Sequence, residues 1–421
     1  MVMPMPEAYL DPRSISSLEV LLNDLKVGTI VRTPGRHIIA SDDITVMALY
    51  EVRRRCTMQP DGCAQCQVYS WSHSPVARFN PMNKWPRIME LIVALGLIVF
   101  KVAFLIAILL LLPLPLTWLE RKVAGHIQQR MGPMRVGWHG LLQPMADGIK
   151  LLTKEDHIPA EADRFLFKLA PILALAPPFV VFVAIPFGES ISVLGTEITL
   201  HVSNMNVALL FVFAVIGIEV YGVIFGGWAA NSKYAVLGSL RTCAQMISYE
   251  IPMGFAVIGV VMLAQSMSLL DIVRAQSDVW NIVYQPVGFF VFFVAGLAEA
   301  QRIPFDLSEA EGDLGAGFHT EYSGIRFAFF MVSEYAIVLL VSVLVVILFF
   351  GGWNGVLIPL PPLLWFVLKV AFFVYVFIWF RFTFPRYRYD QLMAIGWKVL
   401  LPLSMANIII TGVLLGAVAA P

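Results

Sequence analysis

Hydropathy divides the chain into two unlike parts. From about residue 90 onward, long apolar runs alternate with shorter polar stretches. A helix needs roughly 20 mainly apolar residues to cross the ~30 Å hydrocarbon layer. Eight segments meet that need, at about 90–117, 166–187, 206–229, 250–268, 285–300, 325–350, 362–384 and 397–418. The fourth and fifth are the weakest, because Gln265 and Ser266 end one early and the other is short. Each is expected to be helical, since a sheet edge facing hydrocarbon would leave amides and carbonyls without partners. The first run begins near Leu91, too far along the chain and too long to be a cleaved signal peptide. Residues 1–88 read differently. Alternation around Gly28–Ala40 and Ile44–Val52 predicts a few short strands or helices with a small core. A segment of that size is marginal alone and needs a partner. A second reading takes an internal methionine such as Met82 as the natural start. The expected fold class is therefore all-α: a polytopic membrane domain of about eight helices over 89–421, with a small soluble N-terminal extension.

Composition supports this division. The chain is 58% hydrophobic and 14% charged, whereas a soluble domain carries about a quarter charged residues. Its formal net charge is zero, so no global field favours nucleic acid. Thirty glycines and 26 prolines are tolerable in membrane helices because neighbouring groups re-satisfy the freed backbone. Four cysteines do not describe a disulfide scaffold.

Loop charge sets orientation. The loop after the first span carries Arg121, Lys122, Arg130, Arg135, Lys150, Lys154 and Arg164. Lys233 and Arg241 follow the third span, and Arg381, Arg386 and Arg388 follow the seventh. The opposite loops, about 188–205, 269–284 and 351–361, contain only Arg274. Basic residues stay on the cytoplasmic side, which places both termini outside. The extension resists this placement, with ten basic residues including Arg53, Arg54 and Arg55, although long domains translocate regardless of charge.

Against that pattern, one inside loop is acidic. Between 299 and 321 it holds Glu299, Asp306, Glu309, Glu311, Asp313 and Glu321 against Arg302 alone. Crowded carboxyls hold and pass protons near neutral pH. A solvated acidic loop is the plainer reading, but interleaving with Ile303, Pro304, Phe305, Leu307, Leu314 and Phe318 suits a partly buried wall. More carboxyls lie at membrane depth: Glu219 within the third span, Glu334 within the sixth, and Glu250 just before Pro252. Burying a charge at the bilayer centre costs roughly 2.5–3.5 kcal/mol on insertion scales. Each is therefore either a protonated group hydrogen-bonded between helices or part of an ion path, and together with Glu299 they favour the path. Lys101 and Lys369 are either their counter-charges or cations that snorkel to the interface. In the first inside loop, Glu120 and Arg121 stand at the foot of the first span, where an amphiphile from the bilayer meets protein polarity. The stretch Leu141–Leu152 has the character of a helix lying on the membrane surface. Cys56, Cys63 and Cys66 with His73 offer either a Cys3His zinc site or a disulfide and a free thiol. The chain contains no Walker loop, no GxGxxG after a strand and no paired histidines for haem.

Four blocks within about 88–418 closely resemble the H subunit of NADH:quinone oxidoreductase, respiratory complex I. They are Glu120-Arg121-Lys122 with Gln129–Pro133 and Gly140–Asp147; Gly227-Trp228 with Asn231–Tyr234 and Ser248-Tyr249-Glu250; Ala298–Glu311 with Glu321-Tyr322-Ser323; and Thr383 with Pro385–Leu392 and Gly396–Lys398. The resemblance implies a bacterial inner-membrane subunit joining the peripheral electron-transfer subunits that share the quinone site to the proton-pumping membrane-arm subunits. Its substrate would be ubiquinone or menaquinone, with FMN and iron–sulfur clusters carried by partner chains. Mapped by motif, Glu120, Arg121, Arg302, Phe305 and Asp306 become quinone-chamber residues. Glu219, Glu250, Glu299, Glu309, Glu311, Asp313 and Glu321 become the acidic proton path. There are departures: Asp313 and Gly315 stand where the family usually has glutamate and valine, and Met134 and Trp138-His139 replace a more usual Asn and Pro. Two rivals compete with this reading. The homologous subunit of an energy-converting hydrogenase shares the fold but keeps fewer of these motifs. A stand-alone transporter would show internal repeats and helices broken at the midplane, and the sequence shows no sign of either.

Overall fold

The computed structural model describes the backbone of residues 30–33, 36–40, 47–58, 64–73 and 84–419, except 194–195, 308–314, 316 and 356–359. The chain forms two compact units, Met1–Leu97 and Ile98–Pro421. In the first, β1 (Ile30–Thr33), β2 (Arg36–Ala40), β3 (Met47–Met58) and β4 (Ala64–His73) make an antiparallel meander in that order. The register sets the backbone of Cys56 opposite that of Cys66. Cys63, and the side chains of the expected zinc site, lie outside the described residues.

The second unit is helical. Its first span is built from the later part of α1 (Lys84–Leu111), from Ile98 on, and α2 (Pro113–Ile127), joined at Leu112. Pro113 opens α2, a position where its missing N–H costs nothing. A surface helix α3 (Gln143–Thr153) and α4 (Arg164–Val181) follow. Asp163 caps α4 by accepting from the amides of Phe165 and Leu166. Past a hairpin of β5 (Ser190–Val193) and β6 (Thr196–Thr199), the third span comes as α5 (Ala208–Ile216) and α6 (Glu219–Ala229). Then come α7 (Lys233–Ala264), the short α8 (Leu269–Ala275) and α9 (Asn281–Tyr284), α10 (Pro286–Glu299), α11 (Gly324–Phe349) and α12 (Pro362–Thr383). The last span begins as α13 (Tyr389–Ala394), passes through a π-helical turn over Ile395–Leu400 and ends as α14 (Leu401–Ala419).

Among the described residues, seven helices are long and apolar enough to cross a membrane, and the expected fifth span is the fourteen-residue α10. At about 1.5 Å per residue, α10 reaches only ~21 Å, short of the ~30 Å layer. Its last residue, Glu299, therefore ends inside the protein and is 1% exposed. The fourth span departs the other way. It starts at Lys233 rather than near 250 and runs 32 residues, so Lys233 and Arg241 belong to a helix and not to a loop. Hydropathy hides its first half because Ser239, Thr242, Gln245 and Ser248 are polar. They are buried against protein, where hydrogen bonds replace the need for apolar side chains. α11 is almost wholly buried and forms the centre, whereas the first span keeps most of its apolar surface exposed.

Candidate functional site

The acidic and basic groups at membrane depth sort into two adjoining clusters around α11. In the first, Glu120 of α2 is buried and receives three donors. Tyr335 Oη donates to its Oε2 at 2.6 Å, Arg381 Nη1 donates to Oε1, and Arg302 Nη1 lies 3.5 Å from the same oxygen. Arg302 also sits 3.6 Å from Glu334 Oε2, with its guanidinium 4.7 Å from the centre of the Tyr335 ring. Glu120, Arg302 and Glu334 are each under a tenth exposed. Removing such charges from water costs several kcal/mol each, repaid only when the partners are well placed. Here two carboxylates face two guanidiniums. A small cavity beside them is lined by Leu116, Glu120, Tyr335, Phe377 and Arg381 among others.

The second cluster is lined by no cation among the described residues. Ala174, Glu219, Glu299, Gln301, Ser333 and Glu334 line an adjoining cavity with apolar neighbours. Glu219 and Glu299 are 3% and 1% exposed. Neither oxygen of Glu299, nor Oε2 of Glu219, has a hydrogen-bond partner among the described residues. Among the described residues the one donor to these two carboxyls is Ser333, whose Oγ lies 3.2 Å from Glu219 Oε1, and a buried carboxyl without donors is costly to ionise. Glu250 reaches the same region from α7. Its Oε1 lies 3.1 Å from where a Cβ on Gly217 would stand, against the break between α5 and α6. Glu334 lines this cavity and also pairs with Arg302, so it belongs to both clusters.

The loop after α10 is pinned to the bundle. Gln245 Nε2 donates to the carbonyls of Ala298 and Phe305, each at 2.8 Å. Phe305 is buried between Tyr249 and Tyr387, with ring centres 5.6 and 5.8 Å away. The buried carboxylate of Asp306 accepts from Arg386 at 3.2 Å. Glu321 is partly buried, and Glu309, Glu311 and Asp313 lie outside the described residues.

Arg121 goes elsewhere. Successive helical residues point about 100° apart, so Glu120 faces inward while Arg121 turns to α3 and donates to Asp147 at 2.6 Å. Partial burial works against ionised Asp147, but the hydrogen bond and charge of Arg121 outweigh it and hold the carboxyl below its ordinary range.

The proposed counter-charges do not meet the acids. Lys369 donates to the carbonyls of Phe350, Gly352 and Asn354 and lies 4.4 Å from the Trp280 ring centre. Lys101 donates to Thr199 and to the carbonyl of His201. The cations that compensate Glu120 are instead Arg302 and Arg381. Arg381 reads from sequence as an orientation-setting loop residue, but α12 runs on to Thr383 and carries it inside. Tyr335 and Ser333 had no signal beyond lying in an apolar run beside Glu334.

Long apolar helices enclosing buried charged side chains define the class as an integral membrane protein. A family model described as NADH dehydrogenase matches residues 100–412. The chain is 94% identical over 340 residues to the second H subunit of NADH-quinone oxidoreductase from Rhizobium etli, covering 81% of this chain and all of that protein. It is 91% identical over 325 residues to the second H subunit from Rhizobium meliloti, covering 77% and 99%. The second H subunit from Geobacter sulfurreducens is 54% identical over 312 residues, covering 74% and 94%. The chain belongs to the NADH dehydrogenase family, among the H subunits of NADH-quinone oxidoreductase, complex I.

Proposed function

We propose that this chain is the membrane subunit of a proton-pumping NADH:quinone oxidoreductase, forming the quinone chamber and linking quinone reduction to proton movement through its buried carboxyls. The carrying observation is the junction at Glu334, which pairs with Arg302 of the cation-bearing cluster and also lines the cavity that holds Glu219 and Glu299. Electrons would arrive from FMN and iron–sulfur clusters on peripheral-arm partners, and membrane-arm partners would receive the consequence. The quinone, ubiquinone or menaquinone, would meet Glu120, Arg121, Arg302, Phe305 and Asp306. Phe305 and Tyr387 offer it an apolar aromatic wall, and the guanidiniums of Arg302 and Arg381 answer charge that develops as it is reduced. Added negative charge draws protons onto nearby carboxyls. Uptake along Glu219, Glu250, Glu299 and Glu321, continued by Glu309, Glu311 and Asp313, would carry the redox event away from the chamber. The positive-inside pattern puts both termini on the periplasmic side of the bacterial inner membrane.

The test is Glu299→Gln and Glu250→Gln in the assembled complex. Both should abolish proton pumping coupled to quinone reduction while the complex still assembles. Wild-type pumping in both variants sinks the proposal.

A further inference from the structure

α4 contains a chemical gap beside Glu219. In a regular helix the carbonyl of Ala174 accepts from the amide four residues on. That residue is Pro178, which has no N–H to give. The orphaned carbonyl is served from α11, where Ser333 Oγ lies 2.8 Å from Ala174 O. The same Oγ lies 3.2 Å from Glu219 Oε1. All three groups are buried; Ser333 is 2% exposed. Gly222, one turn beyond Glu219, makes this approach possible: a Cβ there would stand 2.5 Å from the amide nitrogen of Ala174.

A hydroxyl has one proton to donate and lone pairs with which to accept, whereas a carbonyl only accepts. Two arrangements follow. In one, Ser333 donates to Ala174 and accepts from a protonated Glu219. In the other, Ser333 donates to ionised Glu219, and the Ala174 carbonyl is left buried with no donor, at a cost set by its desolvation. We propose that Ser333, backed by Pro178, is a positioning residue whose hydroxyl flips with the protonation of Glu219, so that the orphaned Ala174 carbonyl favours the proton-bearing arrangement. The other titratable groups lining this cavity are Glu299 from the end of α10 and Glu334 from α11, and Glu250 of α7 stands against the break at Gly217. Among the described residues that line this cavity none is cationic, so the hydroxyl decides between states that no lining counter-ion fixes. The inference rests on reading Glu219 as part of the proton path.

Infrared difference spectroscopy on the complex purified from native membranes tests it, with the carboxylic C=O band of Glu219 assigned by its loss in Glu219→Gln. Pro178→Ala restores an amide for Ala174, so Ser333 is released to donate to the carboxylate. The ratio of protonated to ionised Glu219 should then fall about fivefold at fixed pH, as for loss of one ordinary hydrogen-bond preference. Ser333→Ala should keep the band but shift it upward for want of an acceptor, and Ser333→Thr should restore the wild-type position. A Glu219 band unchanged in both Pro178→Ala and Ser333→Ala overturns the proposal, as does finding no band that Glu219→Gln removes. Pumping by Glu219→Gln is a separate readout: undiminished pumping overturns the path reading even where the band behaves as expected.

Discussion

Glu120 and Glu299 are the same side chain, buried to nearly the same extent, in opposite surroundings. Glu120 has Tyr335, Arg302 and Arg381 aimed at its oxygens. Glu299 has no hydrogen-bond partner among the described residues and sits beside Glu219 and Glu334. In the first case three donors answer the negative charge, so the carboxylate is a fixed part of the architecture. In the second no described donor answers it, and the proton path proposed above rests on that contrast. Burial alone does not assign a role to an acid inside a membrane. In the proposed reading, the number of cations within reach does.

Breaking the compensated cluster should have the largest effect. Arg302→Met removes a charge shared by Glu120 and Glu334, and an uncompensated buried charge costs about 3–5 kcal/mol. The expected outcome is loss of assembled complex, measured by its yield in membranes and its thermal midpoint. Glu120→Gln, which leaves Arg302 and Arg381 with fewer partners, should cost about 3 kcal/mol by the same argument. The matching change at the other cluster sharpens the contrast. Glu299→Gln is nearly isosteric and breaks no hydrogen bond found among the described residues, so its stability cost should stay below about 1.5 kcal/mol while pumping is lost. Comparable destabilisation by the two glutamine variants would erase the distinction between the two acids.

Smaller effects should come from packing and from the surface. Gly222→Ala places a Cβ within 2.5 Å of Ala174 and should cost about 1–3 kcal/mol through overpacking between α4 and α6. The Arg121–Asp147 pair is half-exposed on its arginine side, so Arg121→Ala should cost no more than about 1 kcal/mol and less in high salt. Its pH dependence has a definite sign. Because folding holds Asp147 below its ordinary range, the pair's contribution is complete above the ordinary carboxyl value near ~4. It fades as pH falls through the lower folded value. Thermal midpoints of wild type and Arg121→Ala should therefore converge on acidification. A gap that widens in acid contradicts this assignment.

Much of the site was legible before any folding. Glu219, Glu250 and Glu299 stand out because an acid in an apolar run is expensive, and the acidic run from Glu299 stands out because inside loops are usually basic. The inward partners of Glu120 were not legible. Tyr335 and Arg381 are 215 and 261 positions away from it in the chain, and no local pattern joins residues that far apart. The start of α7 was hidden for a related reason. Hydropathy assumes that a membrane helix faces lipid, and the polar residues of its first half face protein instead.

By itself, the sequence determined where chain must be helical and which acids lie at depth, because both follow from the cost of placing backbone and charge in hydrocarbon. Only the tertiary structure decided which of those acids would meet a cation. Arg302 and Arg381 are delivered to Glu120 by the docking of separate helices and a loop around α11. The same packing, through Pro178, Ser333 and Gly222, gives Glu219 a hydroxyl in place of a counter-charge among the described residues. Electrostatic energy depends on distances between groups remote in sequence, and those distances exist only once the helices have packed.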